Sequence, residues 1–166
     1  MAVGLTADNI GERLDSMCQE VARRTGGDAP TRFLVQQMVE SGAEIILGMH
    51  RDPVGTAVML GMGGVTAELL QDTVIELLPQ SVEGLQGLSD QQALAMVRQL
   101  KTWPLLDGYR GRPLLDVSAL VQTIVAFSRM VALLDDRLIE AEINPIFVLQ
   151  KGLGVCAADG VAVLKT

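Results

Sequence analysis

Leu138-Ile139-Glu140-Ala141-Glu142-Ile143-Asn144-Pro145 is the most informative stretch of this 166-residue chain. Apolar and polar residues alternate through it, the period-2 signature of a strand with two unlike faces. Ile139, Ala141 and Ile143 point one way; Glu140, Glu142 and Asn144 point the other. A second apolar segment, Gly154 to Leu164, follows, and Lys151-Gly152 between them suits a two-residue hairpin turn. With Gln150 facing Leu153, Asn144 falls opposite Asp159. Directly opposed side chains in an antiparallel pair have Cβ atoms roughly 4.5–5.5 Å apart, and Glu142 is one diagonal step from Asp159. Glu142, Asn144 and Asp159 then form an oxygen-bearing cluster, with Glu140 further along. Hard divalent cations take such ligands, and Mg2+ commonly uses one or two carboxylates together with substrate phosphates. The same alternation also suits the solvated face of an edge strand. A turn longer by one residue would send Asn144 and Asp159 to opposite faces.

Working outward, Asp116 can cap a long helix reaching about Leu134, with Leu120, Val121, Ile124, Phe127, Ser128 and Val131 on one side. Ser89 with Gln92 is a capping-box pattern opening another helix, whose apolar face is Ala93, Val97 and Leu100. Trp103-Pro104 is expected to stop that helix, and residues 106–113 to form an irregular loop. Phe33 to Val39, Ala43 to Arg51, Thr56 to Gly61 and Thr73 to Leu78 read as strands separated by Ser41-Gly42, Asp52-Pro53-Val54-Gly55 and other turns. Gly61-Met62-Gly63-Gly64 opens a short helical segment, Val65 to Leu70; residues 80–88 read as loop. Residues 7–24 read as a helix with Ile10, Leu14, Met17 and Val21 on one face and Thr6 able to cap its start. Helices and antiparallel strands mix without a regular βαβ alternation, so the expected fold class is α+β, an antiparallel sheet backed by helices.

Composition narrows the function classes. Hydrophobic residues make up 49% and charged residues 20%, which excludes a disordered chain. A net charge of −7 is a poor match for phosphate backbones, so no nucleic-acid partner is expected. Phe33, Trp103, Tyr109, Phe127 and Phe147 are too few aromatics for base-stacking platforms. Cys18 and Cys156 cannot make a disulfide framework, and His50 alone cannot make a multi-histidine metal site. No apolar run reaches the ~18 residues of a spanning helix, and the first residues lack the pattern of a secretory signal. A cytoplasmic protein without a membrane partner is expected.

Glu142-Ile143-Asn144-Pro145 followed by Ala157-Ala158-Asp159-Gly160 resembles the metal-binding end of the ATP-grasp fold. The likeness is to the ATP-grasp portion of ADP-forming acyl-CoA synthetases of the acetate–CoA ligase type, relatives of the succinyl-CoA synthetase β subunit. Other segments agree in order. Leu34-Val35-Gln36-Gln37-Met38-Val39 resembles the hinge strand, and Gly42 to Gly48 with His50-Arg51-Asp52-Pro53 resembles the hairpin after it. Val58 to Gly64 resembles the glycine-bearing strand end. Leu106-Asp107-Gly108-Tyr109-Arg110-Gly111-Arg112-Pro113 resembles the family's Gly-Arg-Gly-Pro loop. The resemblance implies that Glu142, Asn144 and Asp159 hold Mg2+ against ATP or ADP. It implies that Gln37, Met38 and Val39 line the adenine pocket, that Glu44 binds the ribose side, and that Gly63 and Gly64 allow close approach near the transfer site. It leaves the catalytic residue unassigned.

The resemblance also implies that residues 1–166 are a partial ATP-grasp domain whose first subdomain is largely missing. Lys101, Lys151 and Lys165 do not stand where the family's phosphate-gripping lysine would be. The implied partners are a nucleotide and the CoA-binding and ligase modules, in the same chain or another, with a homo-oligomer possible. Alternatives are a synthetase-like regulatory region of a protein lysine acetyltransferase and a non-catalytic interaction module. Among the remaining residues, Arg110 and Arg112 could clamp a phosphate or carboxylate, or sit in a solvated loop. His50 reads as a polar turn residue.

Overall fold

The computed structural model describes residues 2–39, 42–64 and 71–166. They fall into two compact units, Met1–Glu40 and Ser41–Thr166.

Among its described residues the first unit holds one helix, α1 (Ile10–Thr25). Thr6 is not its side-chain cap. A turn over residues 7–9 shifts the helix start, and Asn9 takes the N-cap position, its Oδ1 accepting the Thr6 N–H at 2.8 Å. Ile10, Leu14, Met17 and Val21 are half-buried, and Leu14, Met17 and Val21 line a cavity of about 330 Å³ with Phe33, Leu34 and Val35. Phe33 to Val39 is not a strand. A strand is defined by its ladder, and among the described residues of this unit no other strand is available to pair with it.

The second unit is built on an antiparallel sheet: β1 (Ala43–Asp52), β2 (Gly55–Met62), β3 (Thr73–Leu77), β6 (Leu138–Val148), β7 (Val155–Ala157) and β8 (Gly160–Leu164). The strand order is β3-β2-β1-β6-β7, and β8 shares the free side of β6 with β7. A small hairpin, β4 (Gln80–Ser81) and β5 (Gly84–Leu85), interrupts the expected loop at 80–88. The Val65 to Leu70 segment lies outside the described residues, as does Ser41 of the expected turn.

The α-helices among the described residues of this unit are α2 (Asp90–Gln99), α3 (Trp103–Leu106) and α4 (Val117–Leu134). The Ser89–Gln92 capping box forms as expected. Trp103-Pro104 does not simply end α2: it opens the one-turn α3, because proline suits a first turn whose N–H has no partner. The loop at 106–113 contains a 3-10 turn, Tyr109–Gly111. Segment Val117–Arg137 is long and apolar enough by composition to cross a membrane, contrary to the sequence expectation. Here its apolar stripe is used as a core face, with Leu120, Ile124, Phe127 and Val131 buried.

That stripe packs with Ala93, Met96 and Val97 of α2 on one face of the sheet, against Ile45, Leu47, Val58, Leu60, Ile146 and Val148. The opposite sheet face carries Glu44, Gly48, Glu142 and Asn144, with Ile75 and Leu77 of β3 exposed. β6 changes phase midway. Ile45 pairs with Ile146 but Leu47 pairs with Ile143, so Asn144-Pro145, joined by a cis peptide bond, carries one extra residue against β1. Bulges of this kind re-aim side chains.

Arg51 ties the far end of the sheet to the end of α4. Its guanidinium donates to Thr56 Oγ1 at 2.9 Å, to the Leu138 carbonyl at 3.2 Å and to the Asp135 carbonyl at 2.7 Å. His50 is not in the turn. It occupies the last part of β1, paired with Ala57 and exposed, with Nε2 3.6 Å from Asp52 Oδ2.

Candidate functional site

The last hairpin takes the register inferred from its turn. Leu153 N–H donates to the Gln150 carbonyl at 2.9 Å and Leu149 N–H to the Gly154 carbonyl at 3.1 Å. Phe147 pairs with Cys156, and Glu142 with Val161. Between the two ladders, Asn144 N–H donates to the Asp159 carbonyl at 3.0 Å and Ala158 N–H to the Pro145 carbonyl at 3.0 Å. The expected single strand from Gly154 to Leu164 breaks at Ala158-Asp159, opposite the bulge in β6.

Side chains follow from this register. Asn144 Nδ2 donates to Glu142 Oε1 at 3.1 Å, which keeps both on one face. Asp159 Oδ1 accepts the N–H of Gly160 at 2.8 Å and is exposed. Among the described residues no group of three or more His, Cys, Asp or Glu side chains could hold a metal ion. Glu142 and Asn144 touch side chain to side chain, whereas the contact of the Asp159 carboxylate is with the Gly160 N–H; together the three residues carry two carboxylates and one amide oxygen. That all-oxygen set fits a hard cation whose remaining ligands come from elsewhere, such as phosphate oxygens and water.

A second group assembles at the start of β1. Gly63 N–H donates to the Glu44 carbonyl at 2.7 Å. A Cβ on Gly63 would lie 3.0 Å from Glu44 Cβ, and one on Gly64 would lie 3.0 Å from Glu44 Oε2. Gly64 is also at φ +72°, a conformation that glycine adopts without penalty. Glu44 and both glycines line a cavity of about 400 Å³ with Gly42, Arg112 and Gln150.

The two arginines part company. Arg112 lines this cavity, whereas Arg110, at φ 54°, places its guanidinium 5.3 Å from the centre of the Tyr109 ring. Gln37 and Met38 are exposed and Val39 half-buried, all in the first unit.

Gln150, Leu105 and Leu115 also line the cavity and were not singled out by sequence. Gln150 was visible only as a turn-flanking residue. The leucines carried ordinary core signals, and nothing local tells a cavity wall from a core.

The ATP-grasp domain family matches residues 1–164. The β subunit of acetate–CoA ligase (ADP-forming) II from Pyrococcus furiosus is 33% identical over 148 residues, covering 88% of this chain and 59% of that subunit. Among solved structures, PH1788 from Pyrococcus horikoshii superposes with a TM-score of 0.77 at 29% identity, over 95% of this chain and 63% of that one. The dinucleotide-forming acetyl-coenzyme A synthetase 1 of Ca. Korarchaeum cryptofilum, in complex with coenzyme A and Mg-AMPPCP, gives a TM-score of 0.64 at 30% identity. That match covers 76% of this chain and 55% of the other. The chain thus spans little more than half the length of several relatives it matches.

Proposed function

We propose that this chain, which belongs to the ATP-grasp family and is related to ADP-forming acyl-CoA synthetases, supplies their nucleotide- and Mg2+-binding part. The reaction of the whole enzyme would join an acid and CoA at the expense of ATP, giving acyl-CoA, ADP and phosphate reversibly. The shared register of Asn144 and Asp159 is the observation that carries this reading.

Glu142, Asn144 and Asp159 would hold the cation on the open sheet face. Mg2+ bound there would neutralise phosphate charge during phosphoryl transfer, where positioning and electrostatics do most of the catalysis. Glu44 would accept hydrogen bonds from ribose hydroxyls, held in place by the close approach of Gly63 and Gly64. Arg112 would offer two parallel N–H donors to a phosphate or carboxylate. Gln37, Met38 and Val39 would line the adenine pocket.

The isolated chain is expected to bind ATP weakly and not to turn over. Leu34 is 83% exposed, Val35 61% and Met38 53%. Such an apolar run supports a partner module that covers it and completes the cleft.

The test is a titration of the chain with Mn2+ and ATP, followed by paramagnetic broadening of backbone amides. Broadening centred on Glu142, Asn144 and Asp159 is expected. Broadening centred elsewhere overturns the site, and micromolar ATP affinity in calorimetry overturns the incomplete cleft.

A further inference from the structure

Asp116 was legible as a helix cap, and its Oδ1 accepts the Ala119 N–H at 3.1 Å. Its second oxygen does something that capping does not require. Oδ2 accepts the N–H of Gly152 at 2.9 Å and of Gly154 at 3.0 Å, both in the turn of the last hairpin. Gly152 and Gly154 sit at φ +90° and +80°, conformations that steer their N–H groups inward. The flanking backbone adds to the strap. Asp116 N–H donates to the Leu149 carbonyl at 2.8 Å, Lys151 N–H to the Leu114 carbonyl at 2.9 Å, and Leu115 bridges to Gln150.

We propose that Asp116 is a positioning residue: by clamping the Gly152–Gly154 turn onto the start of α4, it sets the hairpin register that puts Asp159 opposite Asn144. A one-residue slip in a hairpin flips every side chain beyond it to the other face. Register is fixed at the turn, and this turn has two glycines and no buried side chain of its own. An ionised carboxylate accepting two backbone N–H groups supplies the missing constraint. The flanking backbone strap also pairs Leu115 with Gln150, both of which line the cavity. This inference rests on the proposed cation role of Glu142, Asn144 and Asp159 only in its second readout.

Two variants separate capping from clamping. Asp116→Ser keeps a good cap for Ala119 but is too short to serve the turn as well. Asp116→Ala removes both functions. The first readout is amide hydrogen exchange at Asn144 and Ala158, whose N–H groups cross the hairpin. Asp116→Ser is expected to speed it about tenfold or more while α4 amides stay protected. The second is Mn2+ affinity, expected to fall about tenfold, the scale at which outer partners of metal ligands act. Ser89→Ala, which uncaps α2 and touches no hairpin residue, should cost similar stability and leave Mn2+ affinity unchanged. Unchanged hairpin exchange in Asp116→Ser overturns the proposal. If the wild type takes up no Mn2+ at this cluster, the cation reading fails while exchange still decides the role of Asp116.

Discussion

The backbone N–H of Asn144 donates to the carbonyl oxygen of Asp159 at 3.0 Å, so the two residues share one rung of the terminal hairpin. In a regular antiparallel ladder such opposed residues share a face, and on the proposed reading the Asp159 carboxylate joins Glu142 and Asn144 there. Glu142 is bound to Asn144 on that face. Asp159→Ala should therefore weaken Mn2+ binding about tenfold or more, as for loss of one ligand or close partner. Stability should stay within about 0.5 kcal/mol, the usual range for an exposed side chain, because the Asp159 carboxylate bonds only the next residue's N–H. Parallel metal titration and urea unfolding check both halves.

Gly63 and Gly64 should respond differently to alanine. At Gly63 the new methyl meets the Glu44 backbone carbon at 3.2 Å and its Cβ at 3.0 Å, and neither can swing away. Gly63→Ala should cost about 1–3 kcal/mol through overpacking. At Gly64 the nearest atom is the mobile carboxylate Oε2, so the main cost is the positive φ, roughly 1 kcal/mol. That substitution should displace the Glu44 carboxylate, visible in its side-chain NMR shift. Denaturant unfolding ranks the two.

What could be read from sequence was local. The alternation around Glu142 and the short turn at Lys151-Gly152 made one register readable because strand period and turn length allow few pairings, even though the turn carries no buried side chain of its own to hold it. Ser89 and Asp116 announced helix starts because a capping oxygen needs only neighbours three residues away. Phe33 to Val39 has strand composition, but a strand is made by its partner, and composition carries no information about that. The second role of Asp116 and the fork of Arg51 onto Asp135 and Leu138 depend on contacts across the fold. Asp72 belongs to the same class. It is 3% exposed, and nothing near it in sequence explains a buried acid.

Asp72 carries the clearest pH dependence. Burial pushes its pKa up, but the Thr102 hydroxyl and the N–H groups of Lys101 and Thr102 outweigh that and hold the carboxyl below its ordinary range. Oδ1 accepts from Lys101 and Oδ2 from Thr102, each at 2.8 Å. A depressed folded pKa gives stability that is complete above the unfolded carboxylate range. It is lost as pH falls through that range towards the folded value. Asp72→Ala should cost roughly 3 kcal/mol at neutral pH, because buried donors lose their acceptor. Asp72→Asn should flatten the acid limb of the stability curve. Urea unfolding between neutral and acid pH measures both.

Arg110 and Arg112 stand two residues apart in a loop whose local pattern treats them alike, yet the fold gives them different surroundings. Arg112 lines the cavity with Glu44, and on the proposed reading its fork serves a nucleotide phosphate there. Arg110 is turned back by its left-handed backbone and lies over Tyr109. An exposed cation–π contact is worth about 0.5–1 kcal/mol, so Arg110→Ala should trim stability slightly and leave nucleotide affinity alone. Arg112→Ala should leave stability alone and weaken ATP about tenfold, the size of one charge-assisted hydrogen bond. Shift titrations reporting on the Gly63 and Gly64 amides read that affinity even when it is weak. Equal losses from the two alanines would mean that both arginines act through the general field of the loop. A loss confined to Arg110→Ala would move the anion contact out of the cavity and onto the Tyr109 side.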